Sequence, residues 1–282
     1  NRESALLGYP MTKFKNLCEN IDGLQPGLYI IGAETNVGKT AMLTNLAMDL
    51  LDSNPEVRVL YFSLDDSWSV ISNRFLGILT GLELNKVQRK QALELDATKV
   101  RDAYQALARL ADEGRLFIKD LGEVTNFNQA EAVVRELYEE GNLAVFIDGL
   151  YNLEVEGIGG GIREVNIERA NKLKLLVDTY RIPLVCTAEL RKKTKEEGKD
   201  KPPTVSDLME TGKFGYNANV VWLLYPENFN ESKGADQFMI KLDYAKNKLS
   251  HYKDYQTLIF EKKKGIVREI HINTMNSSAP MW

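Results

Sequence analysis

Short runs of Val, Ile, Leu and aromatic residues alternate along this chain with longer stretches whose apolar positions recur every three to four residues. The short runs predict strands at 28–31, 57–63, 116–119, 144–147, 184–187 and 220–224, then at 237–244, 256–261 and 266–272. The longer stretches predict helices near 40–51, 68–79, 97–111, 129–139 and 168–180. Central runs such as AVFID are apolar on both faces, as in a parallel sheet covered by helices on either side. The closing runs alternate apolar with polar and stand close together, with 262–265 as a turn. That predicts an antiparallel extension at one edge. Residues 157–161 (GIGGG) and 196–203 read as loops. The pattern defines an α/β fold, a mostly parallel twisted sheet flanked by helices, over residues 26–282 with a lead-in at 1–25.

Composition narrows the class. Of 282 residues, 44% are hydrophobic and 27% charged, which excludes a disordered chain and a coiled coil. No apolar run approaches the roughly 20 residues of a membrane helix. Cys18 and Cys186 stand far apart and form no disulfide framework, so a reducing compartment is expected. His251 and His271 lack the paired spacing of a zinc site. A first residue of Asn rather than Met is what a piece of a longer chain would show.

The net charge of −4, from 36 basic and 40 acidic residues, is unevenly spread. Residues 191–201 (RKKTKEEGKDK) hold six basic and three acidic side chains, net +3. Residues 241–268 hold eight and three, net +5. A mildly acidic protein with two basic segments can still bind a polyanion, because phosphate affinity follows local charge.

Residues 32–40 read GAETNVGKT, a G-x-x-x-x-G-K-T between the strand LYII and the helix TAMLTNLAMDLL. In that context Gly32, Ala33, Glu34, Thr35, Asn36, Val37, Gly38, Lys39 and Thr40 form a phosphate loop. Gly32 and Gly38 allow the backbone to turn N–H groups toward an anion, and the helix N-terminus adds partial positive charge. Lys39 would reach the β- and γ-phosphates of ATP, and Thr40 would ligate Mg²⁺. The strand LAVFID supplies Asp148 for the metal, and VRVLYFSLDD supplies Asp65 to orient an attacking water. Asp66 and Ser67 suit the start of the helix near Trp68.

The order of these pieces resembles the RecA-like ATPase domain of replicative helicases of the DnaB type. GLQPGLYIIGAETNVGKTAMLTNLA, YFSLDD, VFIDGLYNL, RIPLVCTAELRKK, PTVSDLMETGKFGYNANVVWLLY and KLDYAKNKL are similar to successive motifs of that family, covering about residues 8–272. The resemblance implies a hexameric ring with ATP and Mg²⁺ at each subunit interface, translocating on single-stranded DNA in the cytoplasm of a bacterial or phage-infected cell. It puts Asp65 at the catalytic carboxylate, Glu189 at the γ-phosphate sensor, and Lys246 and Lys248 at positions that act on the neighbour's nucleotide. It also puts Arg191, Lys192, Lys193 and Lys195 on a loop lining the DNA channel, the segment already marked by its charge. Family members carry an N-terminal domain for primase contact and a linker helix, of which 1–25 would be the remnant; primase or a loader would bind through the missing region.

Three positions depart from the family: Asp65 for Glu, Glu189 for Gln and Lys248 for Arg. With the binding positions intact, these departures predict slow turnover or altered coupling. They keep open an alternative, a RecA-like DNA-associated ATPase or nucleotide-gated switch without unwinding.

Overall fold

The computed structural model describes residues 5–88, 94–157, 159, 161–191, 201–208, 212–229, 232 and 234–270. Among these the strands are β1 (Gly27–Ala33), β2 (Arg58–Ser63), β3 (Leu116–Asp120), β4 (Leu143–Asp148), β5 (Pro183–Glu189), β6 (Val220–Pro226), β7 (Gln237–Asn247), β8 (Tyr255–Glu261) and β9 (Ile266–Glu269). The helices are α1 (Lys15–Asn20), α2 (Lys39–Ser53), α3 (Trp68–Thr80), α4 (Leu84–Gln88), α5 (Glu94–Asp112), α6 (Phe127–Tyr138), α7 (Ile162–Tyr180) and α8 (Lys213–Asn217). No helix among the described residues is long and apolar enough to cross a membrane.

All the strands lie in one sheet, in the order β3-β2-β4-β5-β1-β6-β7-β8-β9. Pairing is parallel from β3 to β6. It is antiparallel from β6 to β9, which is the edge extension expected from the alternating final strands. Apolar side chains cover both faces of the centre. From β1, Tyr29, Ile31 and Ala33 enter a core shared with α1, α2 and α3, while Leu28 and Ile30 enter a second core shared with α6 and α7. That two-sided burial is the reason β1, β4 and β5 read as unbroken hydrophobic runs. Cys18 and Cys186 are buried and free.

The lead-in contains a helix that periodicity did not announce, because six residues are too few to establish a repeat. Phe14, Leu17, Cys18 and Ile21 are buried in the first core. Two buried carboxylates hold the entry to α1. Asp49 of α2 accepts the backbone N–H groups of Thr12, Lys13 and Phe14 at 2.9–3.1 Å. Glu269 of β9 accepts those of Asn16 and Leu17 at 2.9 and 2.8 Å.

Helix α7 begins six residues before the predicted start. Glu164 accepts the N–H of Gly161 at 3.0 Å, so the glycine-rich loop ends directly in a capped helix. β7 runs three residues further than predicted, to Asn247, because its pairing with β6 continues to Val220. The predicted end of β9 at residues 271 and 272 lies outside the described residues, as do 209–211 of SDLMETG.

Candidate functional site

Register brings the candidate side chains to one edge of the sheet. Ala33 is level with Glu189, and Ser63 is level with Asp148. The chain after β1, β2, β4 and β5 therefore emerges at the same C-terminal edge, where a parallel α/β sheet presents its ligand site.

Gly38 takes φ +113°, a conformation that suits glycine, and caps α2 at its N-terminus. A Cβ there would come 3.0 Å from the ring of Phe260 in β8, so the antiparallel extension backs the loop. Gly32 corrects the sequence argument. It lies within β1 and has no positive φ. A Cβ at Gly32 would meet Leu208 at 2.9 Å and Leu223 at 3.0 Å, so the glycine serves close packing. The second left-handed residue is Asn36, at φ +67°.

The Lys39 ammonium bends back over its loop, donating to the carbonyls of Ala33 and Glu34 at 3.1 and 3.3 Å. It also pairs with Glu189 Oε1 at 2.8 Å. Glu189 Oε2 accepts from the Thr35 hydroxyl at 3.3 Å. The negative charge at the sensor position is thus paired by the phosphate-loop lysine itself.

Asp148 is 1% exposed at the end of β4. Its Oδ1 accepts from the Thr187 hydroxyl at 2.8 Å, while Oδ2 is buried and meets no hydrogen-bond donor. Its pKa is raised to about 6, by burial above all and to a smaller degree by the charge of Asp65. The hydroxyls of Thr187 and Thr40 and the Arg74 guanidinium pull the other way. Thr40 lies near enough to act on the carboxyl without meeting hydrogen-bond geometry to Oδ2. An orphaned buried carboxylate oxygen beside a threonine hydroxyl fits a bound divalent cation. Thr40 would hold Mg²⁺ directly and Asp148 would steady it, the metal neutralising phosphate charge. Among the described residues no group of three or more His, Cys, Asp or Glu is placed to hold a metal ion.

Asp65 is fixed by the Asn152 side-chain amide, which donates to its Oδ1. Burial raises its pKa, and the charges of Asp66 and Glu189 add to the rise; Asn152 and Lys39 oppose it. Gly149, at φ +79°, leaves the space for Asp65: a Cβ would stand 2.6 Å from the carboxyl carbon. Asp66 pairs with Arg74 at 3.3 Å and, like Ser67, caps nothing with its side chain; the Trp68 N–H at the start of α3 is accepted by Asp120 at 2.9 Å. A cleft of about 350 Å³ opens beside the loop, lined among others by Val37, Tyr225, Phe229 and Phe238. The rings of Tyr225 and Phe229 stack there, 6.4 Å between centroids.

Lys246 and Lys248 are not brought to this edge. Lys246 is level with Val221, which is level with Ile30, about 10 Å of strand short of Ala33. Lys246 donates to the carbonyls of Gly215 and Tyr216 at 2.6 and 2.8 Å. Its pKa falls to about 8 through burial and the neighbouring Lys248 charge. Lys248 is exposed. Arg191 pairs at 3.0 Å with Asp207, itself 3% exposed, and donates its N–H to the Asp207 carbonyl at 2.8 Å. Lys192, Lys193 and Lys195 lie outside the described residues.

Thr187, Asn152, Arg74 and Asp207 were missed by sequence reasoning. Only Thr187 left a signal, as a hydroxyl inside the apolar run PLVCTAE.

Sheet order and phosphate loop together define a RecA-like P-loop domain. The family described as DnaB-like helicase C terminal domain matches residues 10–277, and the chain belongs to it. The replicative DNA helicase DnaB of Haemophilus influenzae is 26% identical over 236 residues, covering 81% of this chain and 49% of that protein. DnaB of Geobacillus stearothermophilus is 26% identical over 251 residues, 88% of this chain and 54% of that protein. The chain thus spans about half the length of these relatives. A solved DnaB-like replicative helicase, studied with its interactions with primase, superposes with a TM-score of 0.83 at 20% identity, covering 95% of this chain and 63% of that one.

Proposed function

We propose that this domain is the motor of a DnaB-type helicase, binding ATP with Mg²⁺ on the phosphate loop and hydrolysing it between subunits of a ring that moves along single-stranded DNA. One observation carries the reading. Lys39, Thr40, Asp65 and Asp148 converge at one edge of the sheet, while the basic pair Lys246 and Lys248 sits toward the other end. A complete site then needs a second copy, whose Lys248 would supply charge at the γ-phosphate.

Within that arrangement Lys39 and the N-terminus of α2 hold the phosphates. Asp65, with its raised pKa, accepts a proton from the attacking water, and Asn152 aims it. The Tyr225 and Phe229 rings offer the base a stacking surface. The Arg191–Asp207 pair closes the root of the charged loop, leaving DNA phosphates to Lys192, Lys193 and Lys195. Lys246 anchors the strand end that presents Lys248. Contact with primase or a loader would belong to chain beyond this domain.

The test is ATP hydrolysis by the purified chain with and without single-stranded DNA, beside Lys39→Ala. The expected result is stimulation of about tenfold or more, abolished in the variant. Hydrolysis indifferent to DNA would contradict the motor. The Lys39–Glu189 pair favours a second reading, a nucleotide-gated switch with slow turnover; turnover without strand separation would support it.

A further inference from the structure

Glu189 ends β5 with its carboxylate over the phosphate loop, one oxygen on Lys39 and the other on Thr35. The Lys39 side chain is 11% exposed and that of Glu189 37%, so water screens the pair only in part. The ammonium that a phosphate loop offers to an incoming anion is therefore already neutralised by the chain's own carboxylate. Any nucleotide must take Lys39 from Glu189. A triphosphate then leaves its γ-phosphate facing a carboxylate that has lost its partner, whereas a diphosphate carries less charge to that end.

We propose that Glu189 sets the preference of this loop between nucleoside di- and triphosphates, acting as a carboxylate latch that weakens binding of the triphosphate. The inference rests on the nucleotide-binding reading above. The charge, not the length of the side chain, is the operative feature, so neutral replacements of different size act in the same direction. Asp65 already lies in the field of Glu189, and a γ-phosphate there would face both carboxylates.

Dissociation constants for ADP and for a non-hydrolysable ATP analogue, both with Mg²⁺, test this on the full chain, on Glu189→Gln and on Glu189→Ala. Both variants are expected to bind the triphosphate analogue about tenfold tighter than the wild type, the scale of one close charge pair, with ADP changing less than about threefold. The alanine variant separates loss of charge from any new contact made by the glutamine amide. A ratio of the two constants unchanged from wild type in either folded variant, as judged by thermal melting, would overturn the inference. Nucleotide binding no better than that of Lys39→Ala in every protein would instead overturn the nucleotide-binding reading, and the latch with it.

Discussion

Asp148 carries a buried charge whose acceptance depends on the ligand. Its carboxyl has a pKa of about 6, raised by burial, so the folded protein binds a proton that the unfolded chain releases at lower pH. Stability from this group is therefore greatest below the ordinary carboxylate range and is lost as pH rises through about 6. Asp148→Asn keeps an acceptor for Thr187 and removes the charge. The variant is expected to be roughly 1–3 kcal/mol more stable than wild type at pH 7.5, the difference vanishing near pH 4, as read by denaturant unfolding at both pH values. It should lose Mg²⁺-dependent nucleotide binding at every pH, and in the wild type that binding should weaken below about pH 6. A variant less stable than wild type at pH 7.5 would mean that the buried charge is already compensated. The phosphate-loop motif, Asp65 just past β2 and Asp148 at the end of β4 were legible in sequence because each follows an apolar run in a fixed context. Thr187 and Asn152 were not, since they act on those aspartates across the sheet from positions set by register alone.

Among the elements, α2 links the phosphate loop to the lead-in. The helix starts at Lys39 and carries Asp49, 0% exposed, nearly three turns on, where it accepts three consecutive N–H groups before α1. Asp49→Ala leaves the buried Phe14 N–H without its acceptor and takes the carboxylate from the N–H groups of the exposed Thr12 and Lys13, and is expected to cost about 1–3 kcal/mol in unfolding free energy. Asp52→Ala removes only the exposed pair with Lys13 and should change stability by less than about 0.5 kcal/mol. Equal effects from the two would show that the Asp49 contacts are not holding the segment. The long periodic helices and the two-sided strands were legible from pattern. The short helices α1, α4 and α8 were not, because five or six residues hold less than two turns and their shape comes from packing and capping. The early start of α7 depended on Glu164 reaching back to a glycine, a local bond that hydrophobic spacing does not record.

At the scale of the whole molecule, the mostly parallel sheet with an antiparallel edge was legible from the change from two-sided to alternating strands. What pattern could not show is that the sheet separates the candidate residues. The phosphate loop, Asp65, Asp148 and Glu189 share one edge, whereas Lys248 directly follows β7 and bonds through its N–H to the Asn219 carbonyl, just before β6 at the opposite end of the strands. Strand length keeps Lys248 away from the phosphate loop of its own chain, so under the proposed function a second copy has to supply it. The direct measurement is DNA-stimulated ATP hydrolysis by Lys39→Ala and Lys248→Ala chains, each alone and then mixed. Each alone should be inactive. In a randomly mixed ring about a quarter of the interfaces join an intact loop to an intact Lys248, so the mixture should recover activity in that proportion. Full activity of Lys248→Ala alone, or a mixture as inactive as its parts while the wild type turns over ATP, would contradict a site shared between subunits.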